Sequence, residues 1–225
     1  MLEGKKIIVT GSASGMGEAT LKAYVKAGAN VIGMDISDEK GKDISINANS
    51  HGPGTCSFIR IDVSNKDSVK NAFDLALEEL KTLDVLAHPA AIQGPADASS
   101  VKVEDWDKMF AVNVRGTMLT NQNAFKYMKK NGSGSIINFG SISGLRPEPS
   151  ASSYSAAKGA VHSWTRTAAG TWGKYNVRVN AILPAIATPM YYAARERSSE
   201  EENITAHWRN SAPISLGQEY GDPDN

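Results

Sequence analysis

Tyr154 and Lys158 stand four positions apart in SSYSAAKGA (152–160), a stretch otherwise made of small residues. Positions i and i+4 share one face of a helix, so the ammonium can sit near the phenol. A free tyrosine titrates near ~10, and a cation within a few ångströms lowers that by about 1–3 units, each worth ~1.4 kcal/mol. A phenol so adjusted exchanges a proton with an alcohol or carbonyl near neutral pH, which is the proton half of a hydride transfer to or from a nicotinamide. The small neighbours Ser155, Ala156, Ala157, Gly159 and Ala160 leave room for a cofactor and for close helix packing. The pair alone is a common accident on protein surfaces; its company decides.

The first companion is TGSASGMG (10–17), between an apolar run of strand length and a helical segment. Glycines there let backbone approach a pyrophosphate, and the helix N-terminus offers N–H donors and a positive dipole. Gly11, Ser14, Gly15, Met16 and Gly17 form this expected phosphate surface. Asp35 ends the second apolar run, followed by Ile36. A carboxylate there accepts hydrogen bonds from ribose hydroxyls and repels a 2′-phosphate, which favours NAD(H) over NADP(H). Ser14, where an Arg or Lys could have met that phosphate, points the same way. Asp62 and Val63 follow the third run; Asp62 is either a helix-entry residue or a partner for the adenine amino group.

These residues need a scaffold. Apolar runs at 5–10, 30–35, 56–62, 84–88, 134–141 and 176–183 read as strands, several too uniformly apolar to keep a wet face. Val69, Ala72, Phe73, Ala76, Leu77 and Leu80 recur at helical spacing after a Ser64 to Asp67 capping box. Strands alternating with helices over roughly 180 residues predict a single doubly wound α/β domain, Rossmann-type, its parallel sheet covered by helices on both faces. The chain has 225 residues, 41% hydrophobic and 21% charged, with 24 basic and 24 acidic side chains. That balance gives no electrostatic case for nucleic acid or an anionic membrane as partner. One cysteine and four scattered histidines offer no metal-ligand cluster and no internal disulfide. With no long apolar span and no secretory leader, the expectation is a cytoplasmic protein acting on a small molecule.

The Gly-rich loop, Asp35, NVRG (113–116), GSISG (140–144) and YSAAK (154–158) follow one another in an order and spacing that strongly resembles the short-chain dehydrogenase/reductase family in its compact form. The resemblance implies a tetrad of Asn113, Ser141, Tyr154 and Lys158. Ser141 would hydrogen-bond the substrate oxygen, and Tyr154 would act as general acid in reduction and general base in oxidation. Lys158 would lower the tyrosine pKa and hold the nicotinamide ribose, and Asn113 would anchor a water linking Lys158 to solvent. Ala90 and Ala91, with Pro184, Ile186 and Thr188, would complete the cofactor contacts. Three departures accompany the resemblance. The family's Asn-Asn-Ala-Gly reads His88-Pro89-Ala90-Ala91, where Pro89 removes a backbone donor and His88 is a structural stand-in. PAIATP (184–189) is one residue shorter than the family's loop, and the family's final helix and strand have no counterpart before YGDPDN.

By the resemblance, segment 187–212, with Met190, Tyr191, Tyr192 and Trp208, corresponds to the family's substrate lid; its aromatics suggest either an apolar secondary alcohol or ketone, or an amphipathic helix whose aromatics only pack against the body. Alternatives are an NADPH-type 3-oxoacyl thioester reductase, disfavoured by Asp35, and a catalytically weak NAD-binding regulator or partner protein. The resemblance also implies a homo-oligomer, dimer or tetramer, paired through the helix of Tyr154, where Val161, Trp164 and Ala168 form an apolar stripe.

Overall fold

The computed structural model describes residues 1–146, 148, 151–186 and 196. Its six strands are β1 Lys6–Thr10, β2 Asn30–Asp35, β3 Thr55–Arg60, β4 Val85–His88, β5 Gly134–Phe139 and β6 Val177–Ile182. They lie in the order β3-β2-β1-β4-β5-β6, every neighbouring pair parallel. Each is where an apolar run predicts it, trimmed by a residue or two where the chain leaves the ladder. Beyond β3, for instance, Ile61 still donates its N–H to the Asp35 carbonyl at 2.9 Å.

Successive side chains in a strand point to opposite faces, and both faces of this sheet are dry. Ile7, Val9, Val31 and Ala87 pack with Leu21 and Val25 of α1 (Gly15–Lys26) and with Ile44 and Ala48 of α2 (Asp38–Asn49). Ile8, Ile32, Leu86 and Ile136 face the other way, against three helices. These are α3 (Lys66–Leu80) through Val69 and Phe73, a later helix through Leu119 and Met128 of Gly116–Asn131, and the long helix Ser152–Trp172 through Ala168 and Trp172. Phe73 is fully buried, and burying a ring of that size contributes about 1.5–3 kcal/mol. The uninterrupted Ile7-Ile8-Val9 run is thus two alternating sets, each with its own helical cover.

The six apolar positions predicted to line α3 are all buried. Its start differs from the expected capping box. Asn65 is the N-cap, its side chain accepting the Ser68 N–H at 2.9 Å, because the amide and hydroxyl of Ser64 are both taken by the Asp62 carboxylate, at 2.9 and 2.7 Å.

Between β4 and β5 the chain forms α4 (Val103–Phe110), a π-helical turn (Ala111–Arg115) and α5 (Gly116–Asn131); Ser152–Trp172 is then α6. β1 has β2 on one side and β4 on the other, so the connections leaving β1 and β4 diverge and open a crevice at the strands' carboxyl ends. The residues singled out for chemistry cluster at that edge.

Candidate active site

The turn after β1 is built for close approach. Gly11 has φ +62° and Gly15 φ +53°, a region that side chains rarely tolerate. A Cβ on Gly11 would stand 2.7 Å from the Ala90 Cα, so the loops after β1 and β4 touch through backbone. A Cβ on Gly17 would overlap the Gly11 carbonyl. Ser14 caps α1 in position only: its side chain accepts no hydrogen bond from the helix, and first-turn amides have no intrahelical acceptor. The N–H groups at Gly15, Met16 and Gly17 can therefore receive a phosphate, and a dinucleotide fits these residues. Asp35 accepts the Ala13 N–H at 3.0 Å and the Ser37 N–H at 2.9 Å, which ties the end of β2 to this turn. Each carboxylate oxygen keeps capacity for a further donor. Ile36 beside it is exposed. Asp62 accepts the Ser64 N–H and hydroxyl on one carboxylate oxygen at the entry to α3, which leaves its other oxygen for a further donor; Val63 is buried against Gly116.

Ser141 stands two residues past β5, after Gly140, and caps the 3-10 turn Ile142–Gly144, with its hydroxyl accepting the Ser143 N–H at 3.2 Å. Tyr154 and Lys158 lie one turn apart on α6. The start of that helix is fastened to the segment after β4 by a Ser152 N–H to Ala96 carbonyl bond of 2.9 Å and an Ala96–Ala151 bridge. Asn113 sits in the π turn, 2% exposed, donating to the Ile92 carbonyl at 2.8 Å and accepting the Ile92 N–H at 2.9 Å. Its own carbonyl accepts the Thr117 hydroxyl at 2.7 Å. A widened turn of this kind recurs at functional sites, and here it aims one side chain at the β4 connection.

The electrostatics depart from the sequence expectation. Burial holds the Tyr154 phenol above its usual range, while the Ser141 hydroxyl beside it pulls the other way. Lys158 was expected to lower that pKa. Its ammonium instead donates to the Phe139 carbonyl at 2.6 Å and lies 5.6 Å from the tyrosine ring centroid, so desolvation of the phenol wins. Lys158 itself is 4% exposed and is brought down to about 8 by burial.

Two histidines flank the lysine. His88 is buried; its Nδ1 contacts the Thr10 hydroxyl at 2.7 Å and the Thr120 hydroxyl at 3.3 Å, and its Nε2 has no partner among the described residues. Desolvation, then repulsion from Lys158, lowers it to about 3, a neutral ring that braces β1, β4 and α5. His162 accepts the Ser141 N–H on Nε2 at 3.2 Å. Its place one turn beyond Lys158 continues the Tyr154–Lys158 face, the signal that could have found it. The backbone partners Phe139, Ile92 and Ala13 leave no such mark.

Ala90, Ala91, Pro184 and Ile186 are half-buried. Thr188 lies outside the described residues, as does segment 187–212 apart from residue 196, including Met190, Tyr191, Tyr192 and Trp208. The expected pairing stripe is altered: Ala168 is turned into the core, leaving Val161 and Trp164 to line a depression of about 840 Å³ with Phe110, Ala111, Val114 and Met118. None of the four candidate catalytic residues lines it. Among the described residues no helix is long and apolar enough to cross a membrane, and no group of His, Cys, Asp and Glu could hold a metal ion.

Comparison with known proteins agrees with this arrangement. A 3-oxoacyl-(acyl-carrier-protein) reductase of Thermotoga maritima is 35% identical over 224 residues, 99% of this chain and 87% of that protein. A cyclopentanol dehydrogenase of Comamonas testosteroni is 35% identical over 187 residues, covering 83% and 74%. The solved 3-ketoacyl-(acyl-carrier-protein) reductase of Brucella melitensis, complexed with NADH, superposes with a TM-score of 0.84 at 28% identity over 100% of this chain and 88% of that one. The family model described as short chain dehydrogenase matches residues 5–199. A parallel sheet whose carboxyl edge gathers a glycine turn, a serine loop and a Tyr-x-x-x-Lys helix, within a span so matched, means that the chain belongs to the short-chain dehydrogenase family.

Proposed function

We propose that this oxidoreductase interconverts a secondary alcohol and a ketone with NAD(H), Tyr154 serving as general acid and base. The observation that carries the reading is the convergence of Ser141, after β5, with Tyr154 on α6, above a buried Lys158. A nicotinamide dinucleotide would supply the hydride acceptor or donor, held by the Gly11–Gly17 turn, Asp35, the Ala90–Ala91 connection and the Pro184–Ile186 segment. Ser141 donates to the substrate oxygen and steadies the charge developing there. In reduction the Tyr154 O–H protonates that oxygen; in oxidation the phenolate takes the proton back. The Asn113 side-chain amide is committed to Ile92 and its main-chain carbonyl takes the Thr117 hydroxyl; the carbonyl's second lone pair would anchor a water linking Lys158 to solvent. Asp35 favours NAD(H) because its carboxylate meets ribose hydroxyls and repels a 2′-phosphate. The substrate is apolar and small, in line with the cyclopentanol dehydrogenase relative, and no charged substrate cluster stands among the candidate residues. A second copy of the chain packs on the α4–α5–α6 depression.

A second reading, reduction of a 3-oxoacyl thioester, is supported by the Thermotoga relative's span and by the Brucella reductase's complex with NADH, a cofactor compatible with Asp35. The test is a pair of tryptophan-fluorescence titrations with NADH and NADPH, followed by turnover of cyclopentanol and of acetoacetyl-CoA by wild type and Tyr154→Phe. Selective NADH binding with cyclopentanol turnover, lost by about 10²–10⁴-fold in Tyr154→Phe while NADH still binds, supports the first reading. NADPH preference refutes the role of Asp35, turnover confined to the thioester selects the second reading, and turnover surviving in Tyr154→Phe refutes both.

A further inference from the structure

We propose that His162 is a positioning residue: its Nε2 accepts the backbone N–H of Ser141 and holds the 140–144 loop so that the serine hydroxyl faces Tyr154. The proposal rests on the Ser141–Tyr154 reading above. Four observations carry it. The bond itself is 3.2 Å, between a ring on α6 and the second residue past β5. The ring is enclosed, 6% exposed. The loop around it has glycine where a side chain would strike the imidazole: a Cβ on Gly140 would overlap Nε2, and one on Gly144 would come within 2.9 Å of Cε1 and 2.7 Å of the Gly159 amide nitrogen. Lastly, Nδ1 is buried without a partner among the described residues.

Accepting at Nε2 places the single proton of the neutral ring on Nδ1, where it finds no acceptor among the described residues. A leucine would fill the same space without burying an unpartnered N–H. What leucine lacks is an acceptor for the Ser141 amide, a backbone donor that would otherwise be left unpaired at the mouth of the site. Burial, then Lys158 and Arg166 on the same helix, holds the imidazole below its ordinary range, in the acceptor form. The loop presents Gly140, Ser141 and Gly144 to it, with Leu183 beside Gly140, and none of these titrates. His162 thus acts through Ser141 and touches no reacting atom.

The experiment compares wild type, His162→Gln, whose amide oxygen can take the place of Nε2, and His162→Leu. The ring tautomer is read by ¹⁵N NMR, Ser141 amide exchange by hydrogen exchange, and kcat and KM with NADH and cyclopentanone. The expected result is an Nδ1–H tautomer in wild type and slow Ser141 exchange in wild type and His162→Gln. His162→Leu should show fast exchange and a kcat about ten- to a hundredfold lower, with KM for NADH unchanged. An Nε2–H tautomer, unaltered Ser141 exchange in His162→Leu, or an unaltered kcat overturns the proposal. Should wild type turn over no cyclopentanone, the functional reading fails by itself, and tautomer and exchange still decide whether His162 braces the loop.

Discussion

Replacing His88 with Asn should make the protein markedly less sensitive to acid. In the folded chain the buried imidazole is lowered from 6.5 to about 3 by desolvation and by Lys158. The unfolded chain therefore binds the proton first, and stability falls as pH drops through the unfolded value, continuing until the folded value is reached. At about pH 5 the unfolded imidazole is 1.5 units past its midpoint and the folded one is still neutral, so the loss relative to pH 7 is about 2 kcal/mol at ~1.4 kcal/mol per unit. By about pH 3, where the folded imidazole is itself half protonated, it is about 4 kcal/mol, close to what many domains possess in total. An asparagine can keep a hydrogen bond to the Thr10 hydroxyl and does not titrate. Lys158 stays charged throughout this window, and His162, lowered for similar reasons, contributes equally to both proteins. Urea unfolding of wild type and His88→Asn at about pH 7 and pH 5 isolates the His88 contribution as the difference of two differences. Equal pH dependence in the two proteins, or an NMR titration of His88 in the folded protein with a midpoint near its ordinary value, would refute the reasoning.

Gly11→Ala should destabilise the fold by about 1–3 kcal/mol and weaken NADH binding more than tenfold, since it puts a methyl at positive φ against the Ala90 backbone; thermal melts and fluorescence titration check both, and unchanged binding would sink the shared-turn reading. Asn113→Ala removes two bonds to Ile92 and leaves that residue's backbone groups unpaired, an expected loss of about 2–4 kcal/mol in urea unfolding. Because burial keeps Tyr154 protonated above its ordinary value, cyclopentanone reduction should run at neutral pH while cyclopentanol oxidation climbs by at least about tenfold between pH 7 and 9. A flat oxidation profile across that range would show that the phenol is already ionised at neutrality.

Much of this was readable before any coordinates. Strands such as Ile7-Ile8-Val9 announce themselves because a sheet covered on both faces needs apolar residues at consecutive positions, and α3 because its six buried positions repeat at helical spacing. Tyr154 and Lys158 were legible because their relation is local, one turn of one helix. What escaped is long-range or main-chain. That Lys158 would turn to the Phe139 carbonyl depends on where β5 ends beside α6, which spacing along the chain does not encode. That His88 would sit on Thr10 and Thr120 depends on the crossover that brings β1, β4 and α5 together. The cap of α3 moved by one residue because Asp62 competed for Ser64, a contest between two adjacent polar side chains that a motif cannot arbitrate.

The π turn at Ala111–Arg115 has a consequence for how the chain tolerates change in length. Each residue of an α-helix advances the azimuth by about 100°, but a π turn fits one residue more than an α turn into a full rotation, so the surplus residue is taken up inside the turn and α4 and α5 keep the angular relation of one continuous helix. Before the turn Trp106 and Phe110 stack at 4.7 Å at the protein surface; after it, Leu119 and Met128 point into the core. Deleting one residue of the turn would let the ladder close as an ordinary α-helix with those faces nearly where they are, whereas inserting one more would turn α5 by about 100° and swing Leu119 and Met128 off the sheet. The segment is a joint that already carries its spare residue, tolerant of losing one but not of gaining another.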